Sequence, residues 1–348
     1  MSRSWVAEAP SNIALIKYMG KVTEAAGANR STNASLSYTL DHLRTRVRVS
    51  EVEGPKEQVS WRPLNEPGFH APVLSESGRA RFIKHAERCL KRLNVSRESA
   101  LVIESANGFP SDCGLASSAS SFAALTVAIA KLAGVNVDDL SERKRLAELS
   151  REGSGSSCRS LFTPWALWEP TGAVPVEGLP AACHIRHLAL IVDEEKKSVS
   201  SSEAHVRVTS SLLFRGRVAR AEERLRTLLD LLKRSNGADG VHAWNRAAHL
   251  VWSESWDMHA LFETSDPPFG YFVPGSVQAL NALRQVTIAF KLSNGETYRE
   301  PLVTMDAGPN VHVILWNDDS TDAFVRELKL KLDSKTRVID SFGSVVKK

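Results

Sequence analysis

The sequence predicts an α+β protein, with strands and helices segregated rather than alternating as βαβ units. Three observations lead there. Residues 6–16 and 39–52 have strand-like content, with Arg44, Arg46 and Arg48 alternating against Val47 and Val49, so the chain opens on antiparallel strands. Residues 183–193 (CHIRHLALIVD) read as a buried strand that begins a second region. Residues 297–306 and 311–316 form a hairpin pattern around Asp306-Ala-Gly-Pro-Asn.

Between these anchors the elements follow in order. Residues 54–72 are rich in Pro, Gly and polar side chains and read as a loop or hairpin excursion; 77–93 read as a helix and 100–105 as a strand. A small-residue loop then enters a helix over 118–132, with Phe122, Leu125, Ile129 and Leu132 at helical spacing and a stop at Gly134. Asp138 and Asp139 begin another helix over 137–151, carrying Leu140, Leu146 and Leu149. The boundary between two lobes, 1–182 and 183–348, is placed near Ala182. Helices follow over 200–233, 240–262 and 277–292, the last with a strand-like end.

Composition narrows the function classes. With 348 residues, 43% hydrophobic and 24% charged, the chain can bury a substantial two-lobed core, so disorder is not expected. A net charge of +4, with Lys and Arg dispersed, is too mild for a nucleic-acid partner. The apolar runs fall short of a membrane span, and residues 1–9 lack an export pattern, so a cytoplasmic location and no membrane partner are expected. Cys89, Cys113, Cys158 and Cys183 show no CxxC, which argues for reduced thiols and against zinc; no His spacing suggests a metal either. The basic run 215–226 alternates with Glu222 and Glu223 and reads as a solvated helix face rather than a binding patch.

Four segments carry chemistry. Residues 109–121 (FPSDCGLASSASS) deliver a loop of small residues to a helix N-terminus, where unpaired N–H groups and the helix dipole suit a polyphosphate. Tight packing of a small-residue helix on a sheet is the alternative. Neither GxxxxGK[ST] nor a GxGxxG after a strand is present. Residues 9–21 (APSNIALIKYMGK) set Asn12, Lys17, Tyr18 and Lys21 in an apolar stretch next to a strand end, either surface side chains flanking the strand or polar groups that need partners. Residues 152–160 (EGSGSSCRS) combine Ser154, Ser156 and Ser157 with Arg159, either a flexible linker or a pocket for carboxylate or phosphate. Asp306, at a strand end before Gly-Pro, is either a turn residue or a carboxylate placed to take a hydroxyl proton.

These segments, with STNASLSYTL at 31–40, resemble in order and spacing the diphosphomevalonate decarboxylase family of the GHMP kinase superfamily, over residues 9 to 310. The resemblance implies a GHMP kinase fold, with a ribosomal protein S5 domain 2-like N-terminal lobe and a ferredoxin-like C-terminal lobe. It implies ATP with Mg²⁺ as cofactors, a phosphorylated mevalonate as small-molecule partner, and a homodimer. The implied activity is ATP-dependent decarboxylation of 5-diphosphomevalonate to isopentenyl diphosphate. Carried over by motif, Asp306 faces the substrate 3-hydroxyl with Asn12 helping to hold it, and Lys21 shares the catalytic role. Arg159 binds the substrate carboxylate. Tyr18, Lys21, Ser154 and Ser156 contact substrate phosphates or the reacting end. Ser105, Gly114, Leu115, Ala116, Ser117 and Ser118 face ATP.

Two departures stand out. Met19 occupies the position of the family's Trp, a soft apolar exchange. The segment 196–205 (KKSVSSSEAH) has Ser202 or Glu203 where the family has an Arg for the distal phosphates, and Arg207 on the next helical face is a candidate to substitute for it. Three alternatives stay open: decarboxylation of 5-phosphomevalonate, a 3-kinase that releases no CO2, and a ligand-sensing module of the same fold.

Overall fold

The computed structural model describes residues 3–21, 29–72, 74–109, 115, 117–195 and 198–343. Two antiparallel-rich sheets organise it. In the first, the long strand β2 (Ser35–Val52) pairs along its length with β1 (Ser4–Ala14), and on its other side with β4 (Ala100–Asn107) and β5 (Trp165–Glu169). β3 (Val59–Pro63) adds a parallel edge to β4, and β6 (Gly172–Pro175) continues from β5. The second sheet has the order β10-β7-β9-β8, built from β7 (Ile185–Ile191), β8 (Leu302–Met305), β9 (Val311–Trp316) and β10 (Arg337–Asp340).

On β2 the period of two holds as expected. Leu43, Thr45, Val47 and Val49 are buried, while Arg46 and Arg48 face partly outward and pair with Glu8, Glu66 and Glu104. The β1–β2 register shifts between Pro10 and Ser11: Pro10 faces Arg44 but Ser11 faces Leu40, leaving residues 41–43 of β2 outside the pairing.

Helix α1 (Glu76–Arg92) starts at Ser75, whose hydroxyl accepts the Gly78 N–H at 3.1 Å. α2 (Ser117–Leu132) is buried on most sides, from Ala119 to Ala130, because it lies between the first sheet and its neighbours α1 and α3. α3 (Leu140–Gly153) is capped by Asp139, which accepts the Glu142 N–H at 2.9 Å. A 3-10 turn at Gly155–Leu161 follows, so the Gly/Ser stretch is ordered structure rather than a linker.

The expected helix over 200–233 divides into α4 (Ser201–Arg207) and α5 (Arg217–Arg234), separated by 3-10 turns and by Gly216 at φ 77. α6 (Gly240–Glu263) and α7 (Pro274–Asn294) follow. α7 ends in a 3-10 turn rather than the expected strand. α8 (Thr321–Lys331) and β10 lie beyond the segments read from sequence, and β3 lies within the expected loop.

One apolar core joins the two sheets. It runs from Ile13, Leu36 and Trp165 through Leu228 and Trp244 of α5 and α6 to Ala189 and Ile314. Each large side chain buried there contributes about 1.5–3 kcal/mol. The sheets leave a cleft open beside this core. No helix among the described residues is long and apolar enough to cross a membrane.

Candidate active site

The cleft is a cavity of about 670 Å³. Its walls come from the exit of β1, one face of α1, the start of α2, the turn after α3, α4, α6 and the end of β8. Among the described residues six cationic side chains line it, Lys17, Lys21, Arg81, Lys84, Arg88 and Arg159, against two carboxylates, Glu152 and Asp306. Such a surface suits a ligand carrying several negative charges.

Asp306 follows β8 directly and meets Lys17, which follows β1. The Lys17 Nζ donates to Asp306 Oδ1 at 2.5 Å; the ammonium is 2% exposed and the carboxylate 28%. Burial pushes the Asp306 carboxyl up, and the charge and hydrogen bond of Lys17, with His312 and Arg159 beyond, override it and hold Asp306 below the usual carboxylate range. Burial also pulls Lys17 down, opposed by Asp306 and Glu254. A carboxylate kept ionised on a cavity wall is suited to taking or orienting a hydroxyl proton.

Arg159 is 3% exposed and has no carboxylate in ion-pair contact among the described residues. Its Nη1 donates to Ser35 Oγ at 2.6 Å and its Nε to Asn12 Oδ1 at 3.3 Å, while the guanidinium lies over the rings of Tyr18 and Trp168. A buried cation held only by neutral groups is poised for an anion. Asn12 also donates to Ser160 Oγ at 2.8 Å and Ser156 O at 3.2 Å. It thus orients Arg159, and the residue hydrogen-bonded to Asp306 is Lys17.

Tyr18 stacks on His205 at 4.5 Å, and burial pushes its hydroxyl up to about 12. Burial drives His205 down to about 3, so the ring is neutral; its Nδ1 accepts the Gly20 N–H at 3.2 Å. Lys21 lines the cavity and donates to Asn29 Oδ1 at 3.1 Å; burial and the nearby Arg81 lower its pKa.

Ser154, Ser156, Ser117 and Ser118 line the same cavity, with Ser118 and Ser154 hydroxyls 3.4 Å apart. Leu115 is buried in the apolar core, outside the cavity lining, and accepts the Ser11 hydroxyl on its carbonyl. Ser105 stands apart from the cavity lining: it is 2% exposed and accepts the Trp61 indole N–H at 2.9 Å. Gly114 and Ala116 lie outside the described residues.

Arg81, Lys84 and Arg88 form a stripe on α1 that belongs to none of the four chemistry-bearing segments. The spacing 81, 84, 88 was the available signal, since it puts three cations on one helix face. Arg88 is paired with Glu152 at 3.3 Å, whereas Arg81 and Lys84 have no ion-pair partner among the described residues. Lys17 was visible in the sequence but carried no role there.

Comparison with known proteins places this geometry. Residues 9–174 match the model of the diphosphomevalonate decarboxylase-like N-terminal domain, and residues 187–346 that of the mevalonate 5-diphosphate decarboxylase C-terminal domain. The chain is 34% identical to the diphosphomevalonate decarboxylase of Eremothecium gossypii, over 87% of this chain and 75% of that protein. With the enzyme of that name from Debaryomyces hansenii it shares 31% identity, over 94% of this chain and 83% of the relative.

The chain belongs to the diphosphomevalonate decarboxylase family.

Its structure resembles the mevalonate diphosphate decarboxylase of Legionella pneumophila with a TM-score of 0.80, at 35% identity over 97% of this chain and all of that one. A further solved structure, at TM-score 0.79 and 27% identity over 98% of this chain and 96% of that one, is a complex with MVAPP, AMPPCP and magnesium. The fold is the α+β GHMP kinase fold. Within this family frame Met19 is a buried packing residue, 4% exposed, against Val199, Ala204 and Met258. Arg207 does not take the place of the Arg missing near Ser202. It is absent from the cavity lining, ion-pairs with Glu203 on its own helix and lies over the Phe269 ring.

Proposed function

We propose that the protein catalyses the ATP-dependent decarboxylation of 5-diphosphomevalonate to isopentenyl diphosphate, with release of ADP, phosphate and CO2. The observation that carries this reading is the ionised Asp306 beside Lys17 in a cavity whose charged lining is otherwise mainly cationic. A tertiary alcohol is a weak nucleophile and a poor leaving group. Asp306 orients or deprotonates the 3-hydroxyl, whose oxygen bonds to the γ-phosphorus of ATP as ADP leaves. When the C3–O bond breaks, phosphate departs with the bonding electrons and C3 becomes electron-deficient. The C–C bond to the carboxylate then supplies the electron pair of the new double bond, and CO2 leaves.

In this reading Arg159 holds the substrate carboxylate. Tyr18, Lys21, Ser154 and Ser156 contact the substrate phosphates. Ser117, Ser118 and the α1 cations Arg81 and Lys84 serve the nucleotide side, and Ser105 supports the sheet beneath them. Mg²⁺ bound to ATP compensates charge on the transferring phosphoryl group. The two lobes are 1–182 and 183–348, a division that the separation of the two sheets supports. The free thiols of Cys89, Cys158 and Cys183 suit a cytoplasmic location.

One observation favours a second reading. With Ser202 in place and Arg207 committed to Glu203, α4 brings no cation to the cavity, which suits a substrate with a single 5-phosphate. The test is turnover of purified protein with ATP and either 5-diphosphomevalonate or 5-phosphomevalonate, following ADP and CO2 together. Preference for the diphosphate with equal ADP and CO2 is expected. Preference for the monophosphate would overturn the substrate assignment, and ADP without CO2 would reduce the activity to a 3-kinase.

A further inference from the structure

Lys17 lies just beyond β1, and both of its peptide groups are held by side chains: Asn33 Nδ2 donates to its carbonyl at 3.0 Å, and two side chains from the other half of the chain complete the grip. Glu254 Oε1 on α6 accepts the Lys17 N–H at 3.0 Å, and Arg217 Nη2 on α5 donates to the Lys17 carbonyl at 2.9 Å. The two clamping side chains are ion-paired with each other, and both are 0% exposed. Arg217 Nη1 reaches Glu254 Oε2 at 3.0 Å and Asp257 Oδ2 at 3.1 Å, and Arg224 Nη1 adds bonds to Glu254 at 2.9 Å and Asp257 at 2.6 Å. The basic run that reads in sequence as a solvated face is therefore, at Arg217 and Arg224, the wall of a charged cluster.

Local preference does not explain Arg217. It is the first residue of α5, where the helix dipole disfavours a cation, and its Nε has no hydrogen-bond partner among the described residues. A buried ion pair is weak evidence for stability, since apolar residues can often replace it. A grip on one residue's backbone is a more specific use.

We infer that Arg217 and Glu254 are positioning residues: they clamp the Lys17 peptide groups so that its ammonium stays on Asp306 and keeps that carboxylate ready for the substrate hydroxyl. The inference rests on the role given to Asp306 under the proposed function. A displaced Lys17 would leave the electrostatic field at Asp306 to Arg159 and His312, with neutral His259 nearby, and the carboxyl would protonate at higher pH.

The test compares Arg217→Met, Glu254→Met and the double variant R217M/E254M with Asp257→Asn, which touches the cluster but makes no contact with Lys17. The double variant replaces a buried pair by apolar side chains of similar reach, so it remains informative if a single variant fails to fold. Expected are a tenfold or larger fall in kcat, a KM for ATP within about twofold of the parent, and an upward move of the acid limb of the pH–rate profile. Asp257→Asn keeps the parental acid limb. Folded clamp variants that retain the parental kcat, or that lose activity with the acid limb unmoved, overturn the inference. Asp306→Asn, assayed alongside, separates the two ideas: if it keeps turnover, the proposed function of the site has failed and the clamp loses its purpose with it.

Discussion

Lys17 and Asp306 are 289 residues apart in the chain, yet the ammonium of one stands 2.5 Å from the carboxylate of the other. The first follows a strand of the first sheet and the second a strand of the other, so the pair exists only when the two sheets are assembled. Its electrostatics follow from burial: the ammonium is almost wholly withdrawn from water, and its attraction is little screened.

Replacing Asp306 by Asn removes the ionised acceptor while keeping the shape of the side chain. Turnover is expected to fall by about 10²–10⁴-fold with nucleotide affinity largely kept. Parallel assays of CO2 release and nucleotide binding check this, and undiminished turnover would refute the role.

Lys17→Met leaves the Asp306 carboxylate without its neutralising partner. The variant is expected to lose about 3 kcal/mol of stability, the low end for a broken buried pair because Asp306 is partly exposed. Its acid limb should also shift upward, because the group that lowers the Asp306 pKa is gone. Denaturant titration and a pH–rate profile of the same preparation measure both effects.

Arg81→Gln and Lys84→Gln each remove a cavity cation that has no carboxylate partner among the described residues. Each is expected to raise KM for a phosphorylated substrate by about tenfold, the scale of one charge-assisted hydrogen bond, with a smaller change in kcat. Arg88→Gln should have less effect, because Arg88 is already paired with Glu152. Initial-rate measurements with each substrate varied in turn distinguish the cases.

Mild acid should destabilise the fold through its buried histidines. Burial holds His85, His205 and His259 down at about 3 and His42 at about 4, against 6.5 for an exposed imidazole. Between these limits the unfolded chain binds protons that the native state refuses, so stability falls as pH drops below about 6.5, by up to about 1.4 kcal/mol per pH unit for each such histidine. Asp306 acts in a lower window, because its stabilising ionisation is lost only below the ordinary carboxylate range. Urea midpoints at pH 7 and pH 5 check the histidine effect; equal midpoints would contradict it.

Gly155→Ala places a methyl group 2.7 Å from the Tyr18 hydroxyl. The expected cost is about 1–3 kcal/mol from overpacking, with a rise in substrate KM as Tyr18 moves off His205. Thermal unfolding and steady-state kinetics on one preparation report the two parts.

Much of the fold was legible because its signals are local. The alternation at Arg44–Val49 marks β2, Asp139 marks the start of α3, and the apolar spacing from Phe122 to Leu132 marks α2. β3 escaped because a short edge strand in a Pro- and Gly-rich stretch buries one large side chain, Trp61. The site was legible where a motif keeps its residues together, as at Ser154, Ser156 and Arg159. It was not legible where assembly decides: nothing around Lys17 and Lys21 tells which of them will meet Asp306. Arg217 sits in a run whose charge alternation looks solvated, and the carboxylates that bury it lie on another helix, about forty residues on. Ser105 likewise depends on assembly, since its hydroxyl accepts the indole N–H of Trp61, a side chain on the neighbouring edge strand.

The shift of register between Pro10 and Ser11 does more than bend a strand. It frees His42 from the β1 pairing, and His42 Nε2 meets His187 Nδ1 at 3.1 Å, while His187 Nε2 meets His312 Nδ1 at 2.9 Å. Three imidazoles thus rivet the first sheet to the second. An insertion or deletion in this short stretch of β2 would mis-set the very alignment that brings the ends of β1 and β8 together, so this part of the chain should tolerate changes of residue far better than changes of length.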